Sequence, residues 1–356
     1  MRVGELVVGG FEGTALPDAF ARALREGRRG GAILFKGNVE GGPRQIAALA
    51  RELHAAGGDG APPFVGVDQE GGRVARLKAP LLEVPPMRTV ASWGDAALAE
   101  RIARAVGAEL AALGFTIDFA PVLDVNTCAH NPVIGDRAFG DTPEECARFG
   151  VAWTAGLQGA GLLACGKHFP GHGDTSKDSH LDLPEVTASR ERLEAVELVP
   201  FRAAAAAGLA TMMSAHVVYT AVDPAVPATL SPRACGELRA AVGFDAGVMF
   251  SDDLEMKAIE GRWSTEEAAV LAVAAGCDAL LVCWEWDKQE RAVAALEREA
   301  ERSPAFRARC EQAHGRVMAA RRKTTRARPL DDAGIGAVVG GAESRAVAGE
   351  IARRLG

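Results

Sequence analysis

Short apolar runs of four to eight residues alternate with Ala-, Leu- and Arg-rich stretches of helical period, and this alternation limits what the chain can fold into. The runs fall at 31–35 (GAILF), 64–68 (FVGVD), 116–123, 163–168, 211–216, 248–252 and 279–283. Helical patterns lie between or after them at 45–56, 96–113, 144–158, 190–207, 265–275 and 289–302. A strand that is apolar along its whole length is buried on both faces, and strand–helix alternation gives that burial in a parallel sheet. Seven such strands, with an irregular eighth at 5–10 or after Pro329, predict an α/β fold: a single (β/α)8 barrel of TIM type. At 356 residues the chain has ordinary length for one such barrel. No linker or low-complexity stretch divides it, so residues 1–356 are expected to form one domain with a C-terminal helical extension. The loosest segment is 334–341 (GIGAVVGG), and a terminal helix is expected after it.

Charge narrows the partners. Forty Lys and Arg against 47 Asp and Glu give −7, whereas nucleic-acid binding needs a basic surface. The short basic run Arg321–Arg322–Lys323 reads as a solvated helix end. Apolar runs fall far short of the ~20 residues that cross a bilayer, so no membrane partner is expected. The N-terminal MRVGELVVGGFEG lacks the sustained apolar core of a secretory signal. Seven cysteines without CxxC spacing read as small buried hydrophobes in a reducing cytoplasm.

Nearly every strand candidate ends on a polar group: Asp68, Asp124, Lys167 with His168, His216, and Asp252 with Asp253. In a parallel barrel those ends meet on one face, where catalytic groups collect. The densest segment is 167–184, KHFPGHGDTSKDSHLDLP, with three of the seven histidines and Asp174, Asp178 and Asp182 on a Gly/Pro loop. One reading is a divalent-metal site, although no HExxH is present. The other is a proton-transfer pair in which Asp178 orients the His180 imidazole and raises its basicity. A loop rigidified by hydrogen bonds would account for one histidine but less well for six titratable groups.

At 251–253 (SDD), adjacent carboxylates on an extended chain point to opposite faces, so only one can face the barrel mouth. A helix N-cap would equally account for Asp253. At 67–77 (VDQEGGRVARL), Asp68 follows a strand, and Arg73 and Arg76 can anchor a polar ligand, while the acidic DQE disfavours an anion. At 134–140 (IGDRAFG) the Asp-Arg pair reads, taken alone, as a surface turn. Several acids, a His–Asp pair, Lys and Arg without a nucleotide loop suit a neutral polyhydroxylated ligand. Retaining glycoside hydrolysis needs a carboxylate nucleophile and a separate acid/base, parts that Asp252 and His180 can fill.

KHFPGHGDTSKDSHLDLP resembles the signature of the glycoside hydrolase family 3 β-N-acetylhexosaminidases of NagZ type. GVDQEGGRVARL, FAPVLDVN, PVIGDRAFG, MSAHV, PATLS and FSDDLEM match that family's blocks in its order, covering roughly 31–283. The DTSK between GHG and DSH is a common variant, and the segment after Trp284 carries no matching motif. The resemblance implies Asp252 as the nucleophile forming a covalent glycosyl-enzyme, His180 as acid/base and Asp178 as its orienting partner. It implies that Asp68, Arg76, Arg137, Lys167 and His168 hold the N-acetylglucosamine ring. It further implies release of terminal β-linked N-acetylglucosamine, often from muropeptide fragments in cytoplasmic cell-wall recycling, by a single catalytic barrel with no metal or other cofactor. The partner expected is a small glycan, and the chain is expected to work as a monomer, though the sequence leaves an oligomer open. Other readings are a phosphorylase that resolves the same intermediate with phosphate, a family 3 β-glucosidase, a metal-dependent hydrolase using His168, His172, Asp174 and His180, and a sugar-binding barrel without catalysis.

Overall fold

The computed structural model describes residues 2–57, 61–175, 183–324 and 328–356. Eight parallel strands close into a barrel in chain order: β1 (Val7–Gly9), β2 (Gly31–Ile33), β3 (Phe64–Val67), β4 (Ile117–Asp118), β5 (Leu163–Phe169), β6 (Thr211–Ser214), β7 (Val248–Asp253) and β8 (Ala279–Val282). β1 pairs with β8 through Val7–Leu280 and with β2 through Val8–Gly31, which shuts the ring. All seven expected strands are present, and the eighth is the N-terminal one; helices, not a strand, follow Pro329. β4 is much shorter than the run at 116–123, because Pro121 has no N–H to give the ladder.

The barrel interior is packed rather than hollow. Phe250 meets Phe64 and Phe119 edge-on, with ring centroids at 5.3 Å and 5.5 Å. Gly66 makes room for this, since a Cβ there would come within 2.7 Å of the Phe119 ring. Helices cover the outside. Ala96–Leu113 starts on an Asp95 cap accepting from Leu98 N and stops at Gly114, whose φ of 94° suits a residue without a side chain. The pattern at 190–207 divides into Arg190–Ala195 and Leu198–Ala206, with non-helical backbone at Val196 between them.

Two expectations near the C-terminus are corrected. Much of 334–341 is helical: Asp332–Val338 is nucleated by Asp331, whose side chain accepts from Gly334 N. Arg321 is buried, not solvated, and donates to the carbonyls of Ala61 and Pro62. Helix-period reading assigns such a charge to solvent because the carbonyls it satisfies lie on a distant loop.

The two ends of the barrel carry different buried ions. At the N-terminal end of β8, Asp278 is fully buried, accepts from Arg309 (2.8 Å), Arg316 (3.1 Å) and Met249 N (3.0 Å), and forms an ion pair with Arg239 at 2.9 Å. It thereby ties the barrel floor to the helix Pro304–Lys323. Removing one partner of a buried ion pair leaves the other charges uncompensated. Asp278→Ala is therefore expected to cost about 3–5 kcal/mol in urea unfolding. Activity per folded molecule should survive, because this end lies away from the strand C-termini.

Candidate active site

The C-terminal ends of the strands surround a cavity of about 660 Å³. Ile33, Met213 and Leu281 supply apolar walls, and its polar lining includes Asp68, Glu70, Arg76, Arg137, Lys167, His168, Asp252 and Asp253. Six of the eight residues singled out as catalytic or sugar-binding thus share one cavity. The other two, Asp178 and His180, lie outside the described residues.

Glu70 is the hub. Just past β3 and buried, it accepts Arg137 as a fork (Nε to Oε2 and Nη2 to Oε1, both 2.8 Å) and Lys167 Nζ at 2.6 Å. Burial alone would raise its carboxyl pKa, but the Arg137 and Lys167 cations hold it far below the usual carboxylate range. Burial would likewise lower the Lys167 ammonium, yet the Asp68 and Glu70 carboxylates keep it above its ordinary value. Arg137 is raised in the same way, chiefly by Glu70 against its burial. Lys167 Nζ also donates to Asp68 Oδ1 at 2.8 Å, and Arg76 lies 3.3 Å from Asp68 Oδ2. Two of the three Lys167 donors are thus used among the described residues, which leaves the third for a ligand hydroxyl. Arg137 is no surface turn residue; the short 3₁₀ turn Gly135–Arg137 delivers it to Glu70.

His168 is fixed from below. Its Nδ1 lies 2.7 Å from Oδ2 of fully buried Asp124, and the other Asp124 oxygen accepts from His172 N at 2.6 Å. Burial opposes ionisation of Asp124, but His168 and these donors bring its pKa below the usual value. With Nδ1–H given to Asp124, Nε2 is the atom His168 turns towards Arg137 Nη2, 3.4 Å away. His172, 2.8 Å from Thr175 Oγ1, is pushed down to about 4 by burial and by His168.

The alternation rule fails at Asp252 and Asp253, for a visible reason. From Phe250 to Asp253, β7 advances three residues while β8 advances two, from Ala279 to Leu281. The extra residue is a bulge, and it lets both carboxylates line the cavity. Asp253 is not a helix N-cap; the next helix starts at Lys257 with Met256 before it. Its Oδ1 accepts from the backbone N–H of Glu255 (3.1 Å) and Cys283 (3.2 Å), and Oδ2 from Trp284 Nε1 (3.0 Å). Burial, then the nearby Glu255 and Asp252 carboxylates, push Asp253 up to about 7 against those donors. Asp252 Oδ1 accepts from Asp253 N at 2.8 Å. β5 repeats the device: Gly166 to Phe169 spans three residues against two on β6, and consecutive Lys167 and His168 both reach the cavity.

Among the described residues, no group of three or more His, Cys, Asp or Glu side chains is arranged to hold a metal ion, and no helix is long and apolar enough to cross a membrane.

The model of the "Glycosyl hydrolase family 3 N terminal domain" matches residues 2–320. The chain belongs to glycoside hydrolase family 3. This family 3 chain is 40% identical over 325 residues to a beta-hexosaminidase of Alkalilimnicola ehrlichii, covering 89% of this chain and 90% of that one. It is 41% identical over 288 residues to a beta-hexosaminidase of Pseudomonas aeruginosa, covering 80% and 84%. Among solved structures, a family 3 beta-N-acetylglucosaminidase from Paenibacillus superposes with a TM-score of 0.90 at 38% identity, over 99% of this chain and 68% of that one. NagZ from Neisseria gonorrhoeae, in complex with N-trifluoroacetyl-D-glucosamine, superposes with a TM-score of 0.80 at 31% identity, over 99% and 98%.

Sequence reasoning missed Glu70, the supporting role of Asp124, and Trp284. Glu70 stands two residues after Asp68, and Trp284 directly follows the β8 run, so position at a strand end was the available signal.

The Glu70 network makes a pH-dependent contribution in this family 3 barrel. Because its pKa is depressed on folding, the stabilisation is present above its unfolded value near 4.5 and is lost as pH falls below it. Glu70→Gln is expected to cost about 3–5 kcal/mol at pH 7, since Arg137 and Lys167 lose a buried counter-charge. It should also flatten the acid limb of a stability–pH series below pH 4.5, measured by urea unfolding. An unchanged limb would mean that Glu70 is not the group titrating there.

Proposed function

We propose that the chain is a retaining exo-β-N-acetylglucosaminidase that removes terminal β-linked N-acetylglucosamine from glycans by double displacement. The observation that carries this reading is the carboxylate Asp252 on the same cavity as the Asp68, Lys167, Arg137 and His168 cluster. Fixed donors and acceptors of this kind suit the hydroxyls of one sugar ring, and buried Lys167 and His168 place them deep, as exo action requires. The names of the family 3 relatives, beta-hexosaminidase and beta-N-acetylglucosaminidase, support the choice of sugar.

In the first step a carboxylate oxygen of Asp252 attacks the anomeric carbon, and the bond to the aglycone oxygen breaks. His180, as imidazolium braced by Asp178, gives that oxygen its proton. In the second step neutral His180 takes a proton from water, which attacks the anomeric carbon and releases Asp252 as a carboxylate. An imidazole in this role adds no second negative charge opposite Asp252 and titrates near neutrality. Muropeptide fragments are the proposed natural source of the sugar, with the cytoplasm as the compartment. The seven free thiols, six of them buried, support a reducing location. One catalytic unit acting alone is proposed, with no metal or other cofactor in the reaction.

A 5-fluoro-N-acetylglucosaminyl fluoride should inactivate the enzyme and label the peptide containing residues 250–256, as read by mass spectrometry. A label on another peptide would overturn the assignment of Asp252. Asp252→Asn is expected to abolish turnover. His180→Ala should slow natural glycans far more than aryl glycosides with activated leaving groups, and equal losses on both would remove the acid role. Free N-acetylglucosamine at a rate indifferent to phosphate is expected; a phosphate-dependent sugar 1-phosphate would make the enzyme a phosphorylase.

A further inference from the structure

The mouth of the cavity carries an aromatic shelf. Trp284, the first residue after Cys283 at the end of the β8 run, is 57% exposed although it lines the same cavity as the buried polar cluster. A large apolar ring left open on a polar site calls for a ligand surface. One face of the indole is taken by Phe35, which follows β2: the rings stack with centroids 4.3 Å apart and 25° between planes. The Arg76 guanidinium backs the Phe35 ring at 6.0 Å. β1 lies between β2 and β8, and the two rings meet across its end because Gly10 has no side chain. A Cβ there would run into the Cys283 carbonyl and come within 3.4 Å of the Phe35 ring. The indole N–H is anchored on Asp253 Oδ2 at 3.0 Å, so the plane of Trp284 is fixed at its edge as well as on its covered face.

We infer that Trp284, backed by Phe35, is the platform on which the first sugar of the aglycone stacks, and so selects glycan over simple alkyl aglycones. This rests on the proposed glycosidase reading. The exposure gradient supplies the placement: Glu70, Lys167 and His168 are 2%, 3% and 6% exposed and hold the deep ring, so the next ring sits at the rim, where Trp284 is. The apolar C–H face of a β-linked pyranose suits a fixed indole, and a preorganised ring loses little entropy on binding.

The test compares kcat/KM for N,N′-diacetylchitobiose and methyl β-N-acetylglucosaminide. Both leaving groups are unactivated aliphatic alcohols, and only the former carries a ring that can reach the shelf. Trp284→Ala is expected to lower kcat/KM for the disaccharide about tenfold and leave the methyl glycoside within about twofold. Trp284→Phe, which keeps a stacking face but not the hydrogen bond to Asp253, should restore most of the disaccharide activity. Equal losses on both substrates would mean that Trp284 acts through Asp253 and overturn the inference, as would an unchanged disaccharide rate or a Phe variant as poor as Ala. If the unmodified enzyme cleaves neither substrate, the glycosidase reading falls and this inference with it.

Discussion

A single buried carboxylate, Glu70, sets the geometry of the cavity. Two cations converge on it from different parts of the chain, Arg137 from the β4–β5 connection and Lys167 from β5 itself. Either cation alone in a buried position would be expensive. Together with Asp68 they form a chain of alternating charge in which each ion has its partner within hydrogen-bond range. The consequence is preorganisation: the polar groups that line the cavity are held in place by one another, so little ordering cost would fall on association with a ligand. Asp124 does the same for His168, fixing both the ring and its tautomer from below.

Consecutive polar residues can share a cavity only where a strand departs from its pleat. Bulges at the ends of β5 and β7 supply that departure, and they carry Lys167–His168 and Asp252–Asp253. Away from the bulges the barrel keeps regular register, as in the three successive pairs joining β7 to β6. The irregularity is confined to the end that carries the cavity, and the opposite end spends its buried charge on joining Asp278 to three arginines.

The barrel was legible because fully apolar strands separated by helices admit few other arrangements, and the helical patterns at 96–113 and 265–275 coincide with the helices Ala96–Leu113 and Thr265–Ala275. Polarity at strand ends brought out Asp68, Lys167, His168 and Asp252. What stayed hidden depended on contacts across distant segments. Arg137 read as a turn residue because its partner lies 67 positions away, and Arg321 read as solvated because the carbonyls it serves are some 260 positions away. Asp253 was misplaced for another reason: pleat alternation is a local rule, and a one-residue bulge, created by the pairing strand, cancels it.

That bulge poses an electrostatic problem of its own. The carboxylate proposed as nucleophile, Asp252, must be anionic to act, and a second carboxylate in the next residue works against it. The fold handles this by giving the two neighbours different surroundings. Asp253 is enclosed between Glu255, Cys283 and Trp284, and burial with the adjoining acids keeps a proton on it until about pH 7. Below that pH the pair carries less charge than two ionised carboxylates would, and Asp252 faces the cavity beside a largely neutral neighbour. Above it the backbone N–H groups of Glu255 and Cys283 face the charge that develops on Asp253. The cost is borne in stability: the raised pKa favours folding below the unfolded value near 3.8, and this contribution is lost as pH rises through 7. Strain of this kind beside a reactive group is the expected price of placing two acids where the chemistry needs one.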